Sequence, residues 1–246
     1  MSMPKKTRSL AARHKLLMDS ADSHSWRDHP VAVLTSGGLD SAILAGTLAE
    51  TCPRVTPIYV RFGLVWEAVE ERILRRFLAA IARPSLAPLV VFEMPIASVY
   101  GKHWSTGSEP TPDYESPDEA VFLPGRNLLL AAQASIWCRL NGVSTLAMGV
   151  LGGNPFPDST SEFFSSCERT IQLAVGGDLR IVRPFGNLKK VEVLRLGQRL
   201  PLGETLSCIR PRGEQHCGAC NKCAERQKGF AAAGLPDPTK YAEKMS

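Results

Sequence analysis

The sequence predicts an α/β protein, a mostly parallel sheet covered by helices, on three observations. Apolar, β-branched stretches recur at 31–34, 55–60, 89–92, 143–150 and 180–182. Segments with helical spacing or loops separate them, the helical ones at about 40–50, 64–82, 127–141, 160–174 and 189–199, an alternation that fits parallel strands joined by helical crossovers. The first strand runs into Thr35-Ser36-Gly37-Gly38-Leu39-Asp40-Ser41 before the first helix resumes the apolar pattern.

In chain order, residues 1–29 form an N-terminal extension with Lys5, Lys6, Arg8, Arg13 and Lys15, read as a short helix and a polar lead-in, with a targeting peptide as the minor alternative. Residues 30–200 carry the strand–helix alternation. Within them, Leu64, Val65, Ala68, Ile73, Leu74, Phe77, Leu78 and Ile81 recur every three or four places, with acids early and arginines late as a helix dipole prefers. Residues 101–120, "GKHWSTGSEPTPDYESPDEA", are polar and rich in Pro, Gly and Ser, and read as a long loop with little to bury. From 201 to 246 the composition shifts to cysteine, glycine and charge, which predicts a small metal-dependent subdomain. No internal repeat is present.

The 246 residues suffice for one α/β domain with an appendage, and the net charge of +5 is scattered along the chain. That balance suits a small anionic ligand and indicates no dedicated nucleic-acid surface. No apolar run reaches the roughly 18 residues of a membrane span, and no secretory signal pattern opens the chain, so a cytoplasmic protein with no membrane partner is expected.

A strand that enters a glycine-rich turn and then a helix leaves several backbone N–H groups pointing one way, and the helix dipole adds positive potential. Ser36, Gly37, Gly38, Leu39 and Ser41 therefore read as an anion cradle suited to a pyrophosphate. Asp40 would repel a bare phosphate, so it either holds Mg²⁺ that bridges to the ligand or caps the helix. Neither G-x-x-x-x-G-K-[ST] nor G-x-G-x-x-G is present. In "LPGRN", Arg126 is placed to grip phosphate and Asn127 to cap a helix or bond a base or ribose, with Gly125 before them. Lys190, at the start of a later helix, can offset phosphate charge. Cys208, Cys217, Cys220 and Cys223 have the spacing of a closed tetrahedral zinc site, with His216 a weaker rival ligand and disulfide pairing an equally minor alternative. Cys52, Cys138 and Cys167 stand alone among apolar or small neighbours and read as buried hydrophobes.

The S-G-G-x-D-S loop resembles that of the PP-loop ATP pyrophosphatases. With "PGRN", "PFPD" followed by "SEF", "LKKVEV", the four cysteines and "AGLPDPTKY" in this order, the chain over residues 31–241 resembles the 7-cyano-7-deazaguanine (preQ0) synthases of the queuosine pathway. The resemblance implies a doubly wound parallel sheet of the adenine nucleotide α-hydrolase kind and a homodimer, which the residues themselves do not indicate. It implies an ATP-dependent C–N ligase: a carboxylate of 7-carboxy-7-deazaguanine is adenylated, ammonia gives the amide, and a second activation leaves the nitrile. Asp40, Arg126 and Lys190 are then the catalytic candidates, with Mg²⁺-ATP on the loop and zinc on the cysteines. Asn154, Phe156, Asp158, Glu162 and Phe163 are the candidates for substrate binding.

Two stretches depart from the family pattern. Phe62-Gly63-Leu64 stands where the family has Tyr-Gly-Gln, and "GGNPFPDST" keeps Pro157 and Asp158 but lacks the family's first Asp and its Cys. A relative acting on another carboxylate or with another nucleophile therefore stays open. A sulfur-transferring tRNA-modifying enzyme of the same superfamily would need a reactive cysteine pair that Cys52, Cys138 and Cys167 do not supply. A zinc-bearing scaffold with no activity would not require Ser36, Asp40 and Ser41.

Overall fold

A computed structural model describes residues 26–243, so the basic cluster from Lys5 to Lys15 lies outside the described residues. Strands β1 (Val31–Leu34), β2 (Val55–Arg61), β3 (Val90–Glu93), β4 (Thr145–Ala147) and β5 (Arg180–Val182) form a five-stranded sheet in the order β3-β2-β1-β4-β5. Every adjacent pair is parallel. The helices are α1 (Leu39–Thr51), α2 (Glu67–Ala80), the single turn α3 (Ala97–Tyr100), α4 (Arg126–Leu140), α5 (Ser161–Val175), α6 (Lys190–Gly197) and α7 (Asn221–Ala233). The chain builds outward from β1 to β3 and then returns to add β4 and β5 on the other side, which is the doubly wound arrangement.

The central strand explains its own composition. All four residues of β1 are buried, because both faces of the sheet are covered. Ala32 and Leu34 face the core that includes Ala131, Ala134 and Cys138 of α4. Val31 and Val33 face the opposite core, with Ile43, Leu44 and Leu48 of α1 and Val193 and Leu194 of α6. Ile43 and Leu44 have no exposed surface, and burial of such side chains contributes about 1.5–3 kcal/mol each. Trp26, within the stretch read as an extension, is buried in this second core.

Three expectations change in detail. Helix α2 begins at Glu67 and not near Leu64; Val65 is half exposed, and the inner face runs through Trp66, Glu70, Ile73, Leu74 and Phe77. The 101–120 loop is not without buried content: Trp104 is buried and stacks on Trp66 with ring centroids 5.6 Å apart. The same loop is tied to the C-terminal segment. Asp113 forms a bridge with Cys220, Asn221 Nδ2 donates to the Ser116 carbonyl (2.5 Å), and the Tyr114 hydroxyl donates to Gln227 (2.9 Å). Helix α7 was not anticipated; its Phe230 and Ala233 join Val193 and Leu194 in the core beside α6. Among the described residues no helix is long and apolar enough to cross a membrane.

Candidate active site

Strands β1 and β4 are neighbours in the sheet, yet their connections leave in opposite directions, which opens a crevice beyond their carboxyl ends. The Thr35–Ser41 loop leaves β1 there, and the chain after Ala147 leaves β4. The two approach closely: a Cβ on Gly149 would lie 3.2 Å from the backbone of Ser41. Gly37 adopts φ +77°, and a Cβ on it would lie 3.2 Å from the Glu70 carbonyl oxygen, so this turn is open to glycine and strained for other residues.

Within the loop the Ser41 hydroxyl donates to the Gly38 carbonyl (3.2 Å) and accepts from the Ser36 amide (3.1 Å), and the Ser36 and Ser41 hydroxyls are 3.1 Å apart. The Leu206 amide donates to the Gly37 carbonyl at 2.8 Å, which joins the loop to the C-terminal segment. Gly38 is the N-cap of α1, and no side chain caps that terminus. Its first amides and its dipole are thus presented to the crevice.

Asp40 makes no capping bond. Its Oδ2 accepts from Lys190 Nζ at 2.7 Å, while Oδ1 is buried without a hydrogen-bond partner. Lys190 Nζ also lies 2.8 Å from Glu225 Oε1, and Glu225 Oε2 takes Lys222 Nζ at 2.7 Å. Burial alone would lower the Lys190 pKa, but the Asp40 and Glu225 carboxylates outweigh it and raise it, so the ammonium stays charged. A cation and an unpartnered carboxylate oxygen therefore stand together beside an open helix terminus.

The crevice has two lobes. A larger cavity of about 420 Å³ is bounded by Ser36, Gly38, Asp40, Lys190, Arg126 and Phe156, among others. A smaller one of about 190 Å³ shares Ser36, Gly38, Asp40 and Arg126 with it and is otherwise mainly apolar, through Leu34, Ile58, Val60, Leu130, Met148 and Val150. Arg126 lies over the Phe62 ring (5.7 Å), and its Nε is buried without a partner.

The sequence-selected residues divide at this point. Ser36, Gly38, Leu39, Asp40, Arg126, Asn154, Phe156 and Lys190 line the larger lobe, and Ser41 and Asn127 the smaller. Gly37 and Gly125 shape the backbone; Gly125, at φ +73°, is the N-cap of α4. Asp158, Glu162 and Phe163 are not on the cavity wall. The Asp158 carboxylate accepts the Asn127 amide (3.0 Å), and the Asn127 side chain donates to the Asp158 carbonyl (2.9 Å), so this pair fixes the start of α4 and with it Arg126. Glu162 is exposed on α5, and Phe163 packs edge-on against Phe164.

Cys208, Cys217, Cys220 and Cys223 are all buried, with their sulfur atoms within 4.8 Å of one another and three of the separations at 3.5 to 3.9 Å. This group can hold a metal ion. His216 is not among these ligands; its Nε2 accepts the Ser207 amide at 3.0 Å. Cys52, Cys138 and Cys167 are buried, and burial pushes all three thiols up, Cys138 to about 12.

Sequence reasoning missed Glu70, Tyr59, Trp66, Lys222, Glu225 and Arg226. Glu70 is buried on the cavity wall, and the Tyr59 hydroxyl donates to its Oε2 at 2.8 Å. Burial, partly offset by Arg126 and by Tyr59, pushes this carboxyl up to about 7. The available signal was an acid on the apolar stripe of α2, in phase with Trp66, Ile73 and Phe77. Lys222 and Glu225 flank the last cysteine and were absorbed into the metal reading. Arg226 is fully buried, donating to Thr205, Ser207 and the Leu202 carbonyl beneath the cavity.

A doubly wound parallel sheet with a glycine-turned, uncapped helix terminus at its switch point defines an α/β protein of the PP-loop kind. The family model "Queuosine biosynthesis protein QueC" matches residues 30–234, and the chain belongs to that enzyme family. It is similar to the 7-cyano-7-deazaguanine synthases of Thiobacillus denitrificans (30% identity, 85% of this chain and 97% of that one) and Xanthomonas axonopodis pv. citri (33%, 85% and 96%). That of Methanothrix thermoacetophila is 31% identical, over 85% of this chain and 96% of its own. Among solved structures, the U34-tRNA thiolase NcsA from Methanococcus maripaludis, with its [4Fe-4S] cluster, matches 91% of this chain and 74% of its own with a TM-score of 0.51 at 13% identity, a likeness of fold.

Proposed function

We propose that the protein adenylates the carboxylate of 7-carboxy-7-deazaguanine with ATP and converts it through the amide to the nitrile 7-cyano-7-deazaguanine, with ammonia as the nitrogen source. The observation that carries this reading is the two-lobed crevice: an apolar slot and a larger chamber meet at the open terminus of α1, with Arg126 and Asp40 at the junction and Lys190, bonded to Asp40, on the chamber side. The slot suits an adenine ring, the Ser36–Ser41 amides and hydroxyls suit the β and γ phosphates, and the junction is where an α phosphate would meet a carboxylate. Phe156, stacked on Phe122 at 4.9 Å, gives the chamber a flat apolar wall suited to a deazapurine.

In this reading Arg126 and Lys190 stabilise the charge that develops as the carboxylate oxygen attacks phosphorus and pyrophosphate leaves. The role of the fold is to hold the two reactants in line and exclude water. The unpartnered Oδ1 of Asp40 fits a Mg²⁺ ligand, and the ion would supply further charge neutralisation on the phosphates. For the four cysteines, zinc is the fitting ion. Thiolates about 2.3 Å from one tetrahedral ion lie about 3.8 Å apart, close to the separations here, whereas a four-iron cluster must fit its irons between the sulfurs. The site is closed and buried, which suits a structural ion. The buried, uncharged state of Cys52, Cys138 and Cys167 does not favour a sulfur-transfer chemistry.

Ile136 and Leu140 of α4 and Leu173 of α5 are exposed apolar side chains, and they support pairing of two copies. Incubation with 7-carboxy-7-deazaguanine, ammonium and Mg-ATP is expected to yield AMP, pyrophosphate and the nitrile. Absence of AMP with this acid would sink the reading, and sedimentation as a monomer would remove the pairing.

A further inference from the structure

Amide formation from an adenylate needs a proton acceptor, because a neutral amine that attacks carbon becomes positively charged. The cavity holds four carboxyls that could serve: Asp40, Glu70, Asp118 and Glu225. Asp40 and Glu225 share the Lys190 ammonium, at 2.7 and 2.8 Å. Asp118 is exposed on the 101–120 loop. Glu70 is different: it is 6% exposed, sits on the same wall as Ser36, Gly38 and Arg126, and is held by the Tyr59 hydroxyl.

We propose that the Glu70 carboxylate is the base that takes the proton from the attacking ammonia, an inference that rests on the function proposed above. The nitrogen lone pair forms the C–N bond, and the carbonyl π pair moves onto oxygen. That pair returns as the C–O bond to AMP breaks, AMP leaves with the bonding electrons, and one N–H proton passes to Glu70. The products are the primary amide, AMP and a protonated Glu70 that returns its proton to solvent.

The groups that face Glu70 are Tyr59 from β2, Glu67 and Trp66 at the start of α2, and Arg126 from α4. Burial and Glu67 raise its pKa, Arg126 and the Tyr59 and Trp66 hydrogen bonds lower it, and the balance stands at about 7. A carboxyl poised there exchanges protons readily at neutral pH. Gln at this position keeps an oxygen for the Tyr59 hydroxyl, so the fold is not the variable under test.

The test compares wild type, Glu70→Gln and Glu70→Asp in the full, metal-loaded chain, by pyrophosphate exchange into ATP with 7-carboxy-7-deazaguanine and by ammonia-dependent amide formation across pH 5.5–8.5. Amide formation in Glu70→Gln is expected to fall about 100-fold further than exchange. It should also lose the wild-type acid limb, with partial recovery in Glu70→Asp. A variant in which both activities fall by the same factor, or in which the acid limb persists, overturns the assignment. Wild-type protein that shows no exchange with this acid overturns the substrate reading instead, and the amine base with it.

Discussion

Replacing Glu70 by Gln should change the pH dependence of stability in a calculable way. In the folded chain burial raises this carboxyl from 4.5 to about 7, while in the unfolded chain it titrates near its ordinary value. Between those two pH values the folded state binds the proton that the unfolded state has lost, so stability is fully present below about 4.5 and falls as pH rises through 7. A carboxyl moved that far carries about 3 kcal/mol, most of which disappears between pH 5 and pH 8. Gln is neutral throughout and loses nothing. Urea unfolding of the two proteins, followed by tryptophan fluorescence at pH 5, 6.5 and 8, should show Glu70→Gln gaining on wild type by about 2–3 kcal/mol across that range. A difference that stays constant with pH would mean that Glu70 ionises as an ordinary surface carboxyl and that the cavity wall is wetter than its 6% exposure indicates.

Three further outcomes follow from the geometry. Gly37→Ala forces a Cβ into a φ of +77° within 3.2 Å of the Glu70 carbonyl; a loss of about 1–3 kcal/mol and loss of nucleotide binding are expected, and an unchanged melting temperature with intact ATP affinity would contradict the description of this turn. Cys220→Ala leaves three thiolates and should release about one metal ion per chain by elemental analysis. Because Asp113 and Asn221 anchor the 101–120 loop to that site, limited proteolysis should cut the loop faster in this variant, and full metal content would refute the site. Asp40→Asn should keep the fold but reduce turnover about 100-fold at saturating Mg-ATP, with excess Mg²⁺ giving partial recovery; wild-type turnover would remove Asp40 from the reaction.

Much of the architecture was legible because its causes are local. β1 reads as a continuous apolar run since both its faces are covered, and Gly37 announces a turn in which any other side chain is strained. The cysteine spacing specifies its own closure. What was hidden depends on contacts between segments distant in sequence. Trp104 lies in a polar stretch, and its stacking on Trp66, distant in sequence, brings that part of the loop into the core. Asp158 and Asn127 are 31 positions apart, so the pairing that turns a candidate substrate ligand into the anchor of α4 has no trace in either neighbourhood. Glu70 looks like one more acid in a charged helix until the helical phase sets it beside Trp66 and Phe77. Lys190 was found from its motif, but Glu225, its second partner, was masked by the neighbouring cysteines.

Attack of a carboxylate on the α phosphate of ATP in this crevice leaves its trace in oxygen transfer. When 7-carboxy-7-deazaguanine labelled with ¹⁸O in its carboxylate is turned over with Mg-ATP and ammonium, one ¹⁸O is expected in the phosphate of AMP and none in pyrophosphate. Label in inorganic phosphate with ADP as the other product, or unlabelled AMP, would contradict it.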